Sequence, residues 1–164
     1  MNRFFFHRAI VLLCVLWLAA AVHAQPPSAD EAAPAVTAGD GRQGTFKAVQ
    51  GDVTLAHENS RRAVVAGDPV FVGDRILTGE RSTAALTLRD GSLLSMGPNS
   101  QLTLSEFSFD ATTHEGNVLL SLLHGSLRVV TGLIAKLRPE QVKITTPTTV
   151  IGVRGTDFIV EQTP

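Results

Sequence analysis

From Thr45 onward the chain is written in short runs in which apolar and polar residues alternate, each run closed by Gly, Asp, Asn or Pro. Successive side chains of an extended strand point to opposite faces, so a period of two predicts a strand with one face buried. Phe46 to Val49 and Val53 to Ala56 flank the turn Gln50-Gly51-Asp52. Val64-Val65 precede Gly67-Asp68, Val70 to Val72 precede Gly73-Asp74, and Ile76-Leu77 precede Gly79. Ala84, Leu86 and Leu88 alternate into Asp90-Gly91, and Leu94 and Met96 alternate out again. This is the clearest hairpin or corner of the chain, because Asp-Gly suits a turn with positive φ. Gly97-Pro98-Asn99-Ser100 predicts another turn, ahead of Leu102, Leu104, Phe107 and Phe109. Further strands are expected at Val118 to Leu123, Leu127 to Thr131, Val142 to Thr146, Val150 to Val153 and Phe158 to Val160. Only Leu133 to Leu137, between Gly132 and Pro139, has a helical look, and it is one or two turns at most.

The pattern is therefore all-β, with about a dozen short strands. Gly67-Asp68, Gly73-Asp74 and Gly79-Glu80 recur every six residues, with Val70, Ile76 and Ser82 at matching offsets. Such a repeat suits a short β-solenoid-like roll. Ordinary hairpin turns between the strands of a two-sheet β-sandwich would carry the same marks, and that is the alternative.

Ahead of the strands the pattern changes twice. Arg3 and Arg8 flank the start, an apolar run follows from Ala9 through Ala21, and Val22-His23-Ala24 ends it with small residues at the positions a leader peptidase reads. This has the three parts of a secretory signal peptide, with cleavage predicted after Ala24. The apolar run is about 13 residues, short of the roughly 17 to 25 that cross a bilayer, so no stable membrane anchor is expected after cleavage. The predicted organisation is a signal peptide over residues 1–24, a flexible Pro/Ala-rich tether over 25–43, and a β domain over 44–164. A periplasmic location follows from the export signal.

Removing the leader takes two of the 14 Lys and Arg and none of the 15 acids, so the mature chain is mildly acidic. Clustered cations that would neutralise phosphates are absent, which argues against nucleic acid as a partner. The single Cys, Cys14, lies in the leader, so no disulfide or thiol chemistry is expected of the mature chain. His57, His114 and His124 are scattered, without metal-ligand spacing, and read as residues of turns or strand edges facing solvent. Asp52, Asp68, Asp74 and Asp90 each neighbour a glycine, where an Asp side chain commonly bonds its own backbone to close a turn. No Gly-x-Ser-x-Gly or Walker pattern occurs, and Gly39, Gly41 and Gly44 match Gly-x-Gly-x-x-Gly without a preceding strand or following helix. Neither catalysis nor a metal nor a cofactor is expected.

One segment is more tightly specified: Thr145-Thr146-Pro147 through Gly152-Val153-Arg154-Gly155-Thr156-Asp157-Phe158. Two glycines bracket Val153-Arg154, as at a bulge or a close strand approach. Arg154 can contact Asp157 locally, cap carbonyls of another strand, or bind a partner.

Five blocks taken in order resemble the FecR domain: Gly73-Asp74 through Gly79; Ala85 through Asp90-Gly91-Ser92; Pro98-Asn99-Ser100-Gln101-Leu102; the Gly-Ser-Leu-Arg strand containing Leu127; and Thr146-Pro147 leading to Arg154-Gly155-Thr156-Asp157-Phe158. The resemblance runs from about Gly44 to Val160 and marks Gly73, Asp74, Asp90, Gly91, Asn99, Ser100, Pro147, Arg154, Gly155, Thr156, Asp157 and Phe158 as signature positions, structural or partner-binding. It implies an all-β periplasmic domain. In the best-known members that domain follows a cytoplasmic anti-sigma segment and a membrane helix, and receives a signal from an outer-membrane iron transporter. Here a signal peptide stands where those segments would be, which implies an exported, free-standing form that acts through a partner. The expected function is a non-enzymatic periplasmic protein-interaction module, in envelope signalling or transport regulation, with an envelope protein as partner. Binding of glycan or cell wall is the alternative, although the mature phenylalanines Phe46, Phe71, Phe107, Phe109 and Phe158 sit mostly at core-like positions.

Overall fold

The structure is a computed structural model, and it describes residues 41–163. The expected signal peptide, its cleavage point after Ala24 and most of the expected tether lie outside the described residues. Twelve strands form one curled sheet. In chain order they are β1 (Gly44–Gln50), β2 (Val53–His57), β3 (Ser60–Ala63), β4 (Pro69–Val70), β5 (Arg75–Thr78), β6 (Thr83–Leu88), β7 (Leu93–Met96), β8 (Gln101–Phe109), β9 (Gly116–Val130), β10 (Val142–Thr145), β11 (Val150–Gly152) and β12 (Asp157–Gln162). The main path runs β3-β2-β5-β8-β9-β7-β6-β1-β4, with β10, β11 and β12 attached beside β9. Every pairing is antiparallel except that of β9 with β10. The helix α1 (Leu133–Leu137) falls where the apolar pattern breaks, and a 3-10 turn, Pro139–Gln141, follows it.

β9 is 15 residues long and joins the two halves of the sheet. Its first part pairs with β8 on one side and β10 on the other; its last part pairs with β7 and β12. Two strands were expected here, Val118 to Leu123 and Leu127 to Thr131, and the chain runs them together. The physical reason is visible in the burial phase. Val118, Leu120 and Leu122 face the core, and so do Leu127 and Val129, so the inward side shifts by one residue across His124-Gly125. Gly125 has φ +93°, a conformation that turns the strand while the ladder continues.

The six-residue repeat has a related meaning. β4 pairs with β1, β5 with β2 and β8, and β6 with β1 and β7, so no two of β4, β5 and β6 pair with each other. The Gly-Asp turns carry the chain back and forth between the two halves of an all-β roll; they do not stack as successive solenoid rungs.

One apolar core collects side chains from both halves, among them Phe46, Leu86, Leu94 and Leu127 from one and Leu55, Ile76, Leu102, Leu120 and Ile144 from the other. Each such side chain, removed almost wholly from water, contributes about 1.5–3 kcal/mol. α1 closes part of this core with Ile134 and Ala135.

Candidate functional site

Most signature residues hold turns together. Gly73 takes φ +88°, and the fully buried Asp74 beside it accepts the Phe71 N–H at 2.8 Å and lies 2.6 Å from His57 Nδ1. Leu104 bonds the backbone on both sides of this turn, donating to Asp74 O at 3.0 Å and accepting from Gly73 N at 2.8 Å. His57 ends β2, and its partly exposed ring rests on the buried carboxylate. That contact spans 17 residues, and nothing in the local sequence announces it. Ser60 Oγ donates to the His57 carbonyl at 2.9 Å, not to the ring, and among the described residues no Ser, Thr or Cys side chain bonds that ring.

Asp90 and Gly91 close the β6–β7 hairpin, Gly91 at φ +85°. The buried Asp90 carboxylate accepts the Ser92 N–H at 3.0 Å and the Ser92 hydroxyl at 2.8 Å. Ser92 Oγ in turn accepts the Gly132 N–H at 2.9 Å, and Asp90 O accepts the Leu133 N–H at 2.9 Å. The first turn of a helix leaves its N–H groups without intrahelical partners. Here the hairpin supplies two of them to α1. Asn99 sits at φ +47°, as Asn tolerates, and donates its N–H to Gly79 O at 3.1 Å. Ser100 is buried: its N–H donates to Thr78 Oγ1 at 2.9 Å and its hydroxyl accepts the Ser126 N–H at 3.0 Å, just past the bend in β9.

The last block is arranged differently. Pro147 lies in the Thr146–Thr149 turn between β10 and β11, closed by Thr146 N–H to Thr149 O at 2.8 Å. Gly155 O and Thr156 O receive Thr131 Oγ1 and N–H at 3.0 and 2.9 Å. Phe158 packs against the core. Asp157 is held by Arg128 of β9 in a two-pronged contact, Nε to Oδ1 at 3.0 Å and Nη2 to Oδ2 at 2.6 Å. Arg154 is exposed and makes no hydrogen bond or ion pair among the described residues. The nearest arginine in sequence is thus not the one that clasps Asp157, because antiparallel pairing sets Arg128 across from Ile159, one row away.

The hydrogen bonds from Arg128 hold the Asp157 carboxyl below the usual carboxylate range. Asp110 is lowered by the N–H groups of Thr113 and Thr112, and Asp68 by the N–H of Val65 and then by Arg62. A folded-state value below the unfolded one, ~3.9, adds stability above the unfolded value and loses it as pH falls through the folded one. The urea midpoint is therefore expected to be level above about pH 5 and to fall below about pH 4. Replacing Asp68, Asp110 and Asp157 together by Asn should flatten that fall, as urea titrations between pH 3 and 6 would record.

Four strands end the sheet: β3, β4, β11 and β12 each pair on one side only. Unpaired edges invite another chain, and proteins blunt them with charges, proline or shortness. β3 carries Arg61 and Arg62, β4 is two residues long and starts with Pro69, and β11 is three residues long and ends in Gly152. β12 has six residues, no proline and no Lys or Arg, and the side chain at its centre, Ile159, is 63% exposed. Thr131 N–H donates to Thr156 O at the head of the ladder. Partners alternate along an antiparallel pair, so the N–H and C=O groups of Asp157, Ile159 and Glu161 point away from β9. Among the described residues nothing bonds that edge. Behind it, two cross-strand rows make the outer face: Ala48, Ala85, Ser95, Arg128 and Ile159 in one, and Thr45, Thr87, Leu93, Val130 and Asp157 in the other.

The domain is all-β, its buried Asp74, Asp90 and Ser100 close turns, and among the described residues no three His, Cys, Asp or Glu side chains converge. A family model described as FecR protein matches residues 74–164, more than half of the chain, and the chain belongs to that family. The match begins at Asp74 and includes β12; the strands β1 to β4 precede it. The family is a regulatory one associated with envelope signalling. No curated protein and no solved structure matches the chain. Among the described residues no helix is long and apolar enough to cross a membrane.

Proposed function

We propose that this domain is a non-enzymatic protein-interaction module of the periplasm, serving envelope signalling or transport regulation, and that it takes its envelope partner on the open edge of β12. The observation that carries this reading is the contrast among the four edges: three are short or carry arginines, whereas β12 is six residues long with no proline or cation, and its two acids leave the exposed Ile159 between them. Strand addition draws affinity from main-chain hydrogen bonds and specificity from alternate side chains, and β12 offers both. The glycan reading loses support from the aromatic side chains. Phe46 and Phe107 are buried, Phe109 and Phe158 pack against the core, and none of the five described phenylalanines is exposed.

A photo-reactive residue at position 159, activated in intact cells, is expected to give a defined protein adduct by mass spectrometry. The same residue at position 61, on the charged β3 edge, should give none. Ile159→Lys in a chain carrying the probe at position 161 should cut the adduct at least tenfold. Exposed substitutions of that kind leave stability within about 0.5 kcal/mol. Absence of any specific adduct from positions 159 and 161 would overturn the reading.

A further inference from the structure

The charges around β12 are distributed unevenly along it. At its head, Arg154 and Lys136 share one surface hollow with Thr131 and Thr156, and neither cation has an ion-pair partner among the described residues. At its tail, Glu161 projects on the outer face with no ion-pair partner there either. Between them Ile159 is exposed, and Asp157 is already satisfied by Arg128. We propose that the segment β12 accepts is an extended strand of a different protein, running antiparallel to it. That strand carries an acidic residue at the end reaching Arg154 and Lys136, an apolar residue across from Ile159, and a basic residue across from Glu161. The inference rests on the edge reading given under the proposed function and adds the chemistry and direction of the partner.

A second copy of this chain fits poorly, for a reason that follows from register. Two β12 strands related by a two-fold axis keep their outer faces together only if centred on a residue of the strand. Centred on Ile159, Asp157 lies across from Glu161 of the other copy, twice. Centred on Val160, each Ile159 meets a Glu161, and centred on Phe158, each Ile159 meets an Asp157. Like charges directly opposite are destabilising, and an apolar residue facing a carboxylate gains nothing. The edge is thus open to another strand while resisting its own kind, which is how a monomeric binder with an exposed edge avoids self-association. Antiparallel addition is favoured over parallel because it gives the straighter, slightly stronger ladder.

The test uses the full chain, exported and purified, with capped synthetic peptides. The probe is Lys-Thr-Val-Thr-Thr-Thr-Glu, which places Lys across from Glu161, Val across from Ile159 and Glu beside Arg154. Its comparators are the same peptide with Lys and Glu exchanged, and a neutral one with Thr at both ends. Amide exchange read by NMR is expected to slow at Asp157, Ile159 and Glu161 with the probe, and the probe should bind about tenfold more tightly than its charge-exchanged form. Glu161→Gln and Arg154→Gln should each reduce that preference to about threefold or less. Equal binding of all three peptides, with the same three amides protected, would overturn the charge pattern and leave the edge reading standing. Protection of those amides by none of the peptides would overturn both. A concentration-dependent dimer of the unmodified chain in sedimentation, losing its association on Ile159→Lys, would name a second copy as the occupant and overturn the proposal.

Discussion

Gly125→Ala is expected to destabilise the domain by ~4 kcal/mol or to prevent it from accumulating at all. Two costs combine at this position. The backbone sits at φ +93°, where a side chain is strained. A Cβ built there would also lie 2.1 Å from Ser100 Oγ and 2.4 Å from Ser100 Cα, and the second of these is backbone that cannot swing aside. Ser100 is itself fixed by Thr78 and Ser126, so moving it would unpick the bonds that hold the β9 bend. Gly67→Ala is the matched control. It has nearly the same φ, +96°, but nothing within 4 Å of the added atom, and should cost only ~1 kcal/mol. Urea unfolding followed by far-UV circular dichroism separates the two. Equal losses would mean that the close approach to Ser100 carries no weight.

Asp90→Ala should rank next, at ~3 kcal/mol, because it strips a buried site of the acceptor for two donors at once. The Ser92 N–H and hydroxyl lose their partner, and with them goes the reason for the Ser92 oxygen to face Gly132. The damage is therefore expected to reach α1, which has no side-chain cap of its own. Hydrogen exchange at Leu133 to Leu137 should quicken more than exchange in β1 or β2. Asp90→Asn keeps one acceptor in place and should cost less than half as much. Global exchange that rises evenly along the chain would contradict the coupling between hairpin and helix.

Much of this architecture is written in residues that touch the core. Ala84, Leu86 and Leu88 alternate because one face of β6 is buried, and Asp90-Gly91 marks the turn because its geometry needs those residue types. β3 left no such trace. All four of its residues are exposed, so alternation had nothing to alternate between, and the apolar pair Val64-Val65 just after it carries the stronger pattern. Of that pair Val64 is buried outside any strand and Val65 is 62% exposed. The bend in β9 misleads in a related way: a glycine with a one-residue change of phase looks like the end of one strand and the start of another. At the candidate site the residue types were legible and their partners were not. A contact of Asp157 with Arg154, three positions away, was one of three roles open to that arginine, whereas the partner Asp157 has, Arg128, is 29 positions away and is reached only through strand pairing. Proximity along a chain says little about contacts in a sheet built from distant segments. Exposure of the β12 edge was hidden for the same reason, since an edge is defined by which strand fails to arrive.

The position of β12 also has a mechanical side. It lies along β9 over six consecutive pairs, from Asp157 opposite Val130 to Gln162 opposite Gly125. A partner strand bonded to β12 and drawn along its own axis would load those pairs in shear, all together, and would not peel them one by one. β9 is the strand bonded into both halves of the roll, so tension arriving there crosses the Gly125 bend toward β8. A partner strand added to β12 as proposed would thus pull on all six β9–β12 pairs at once.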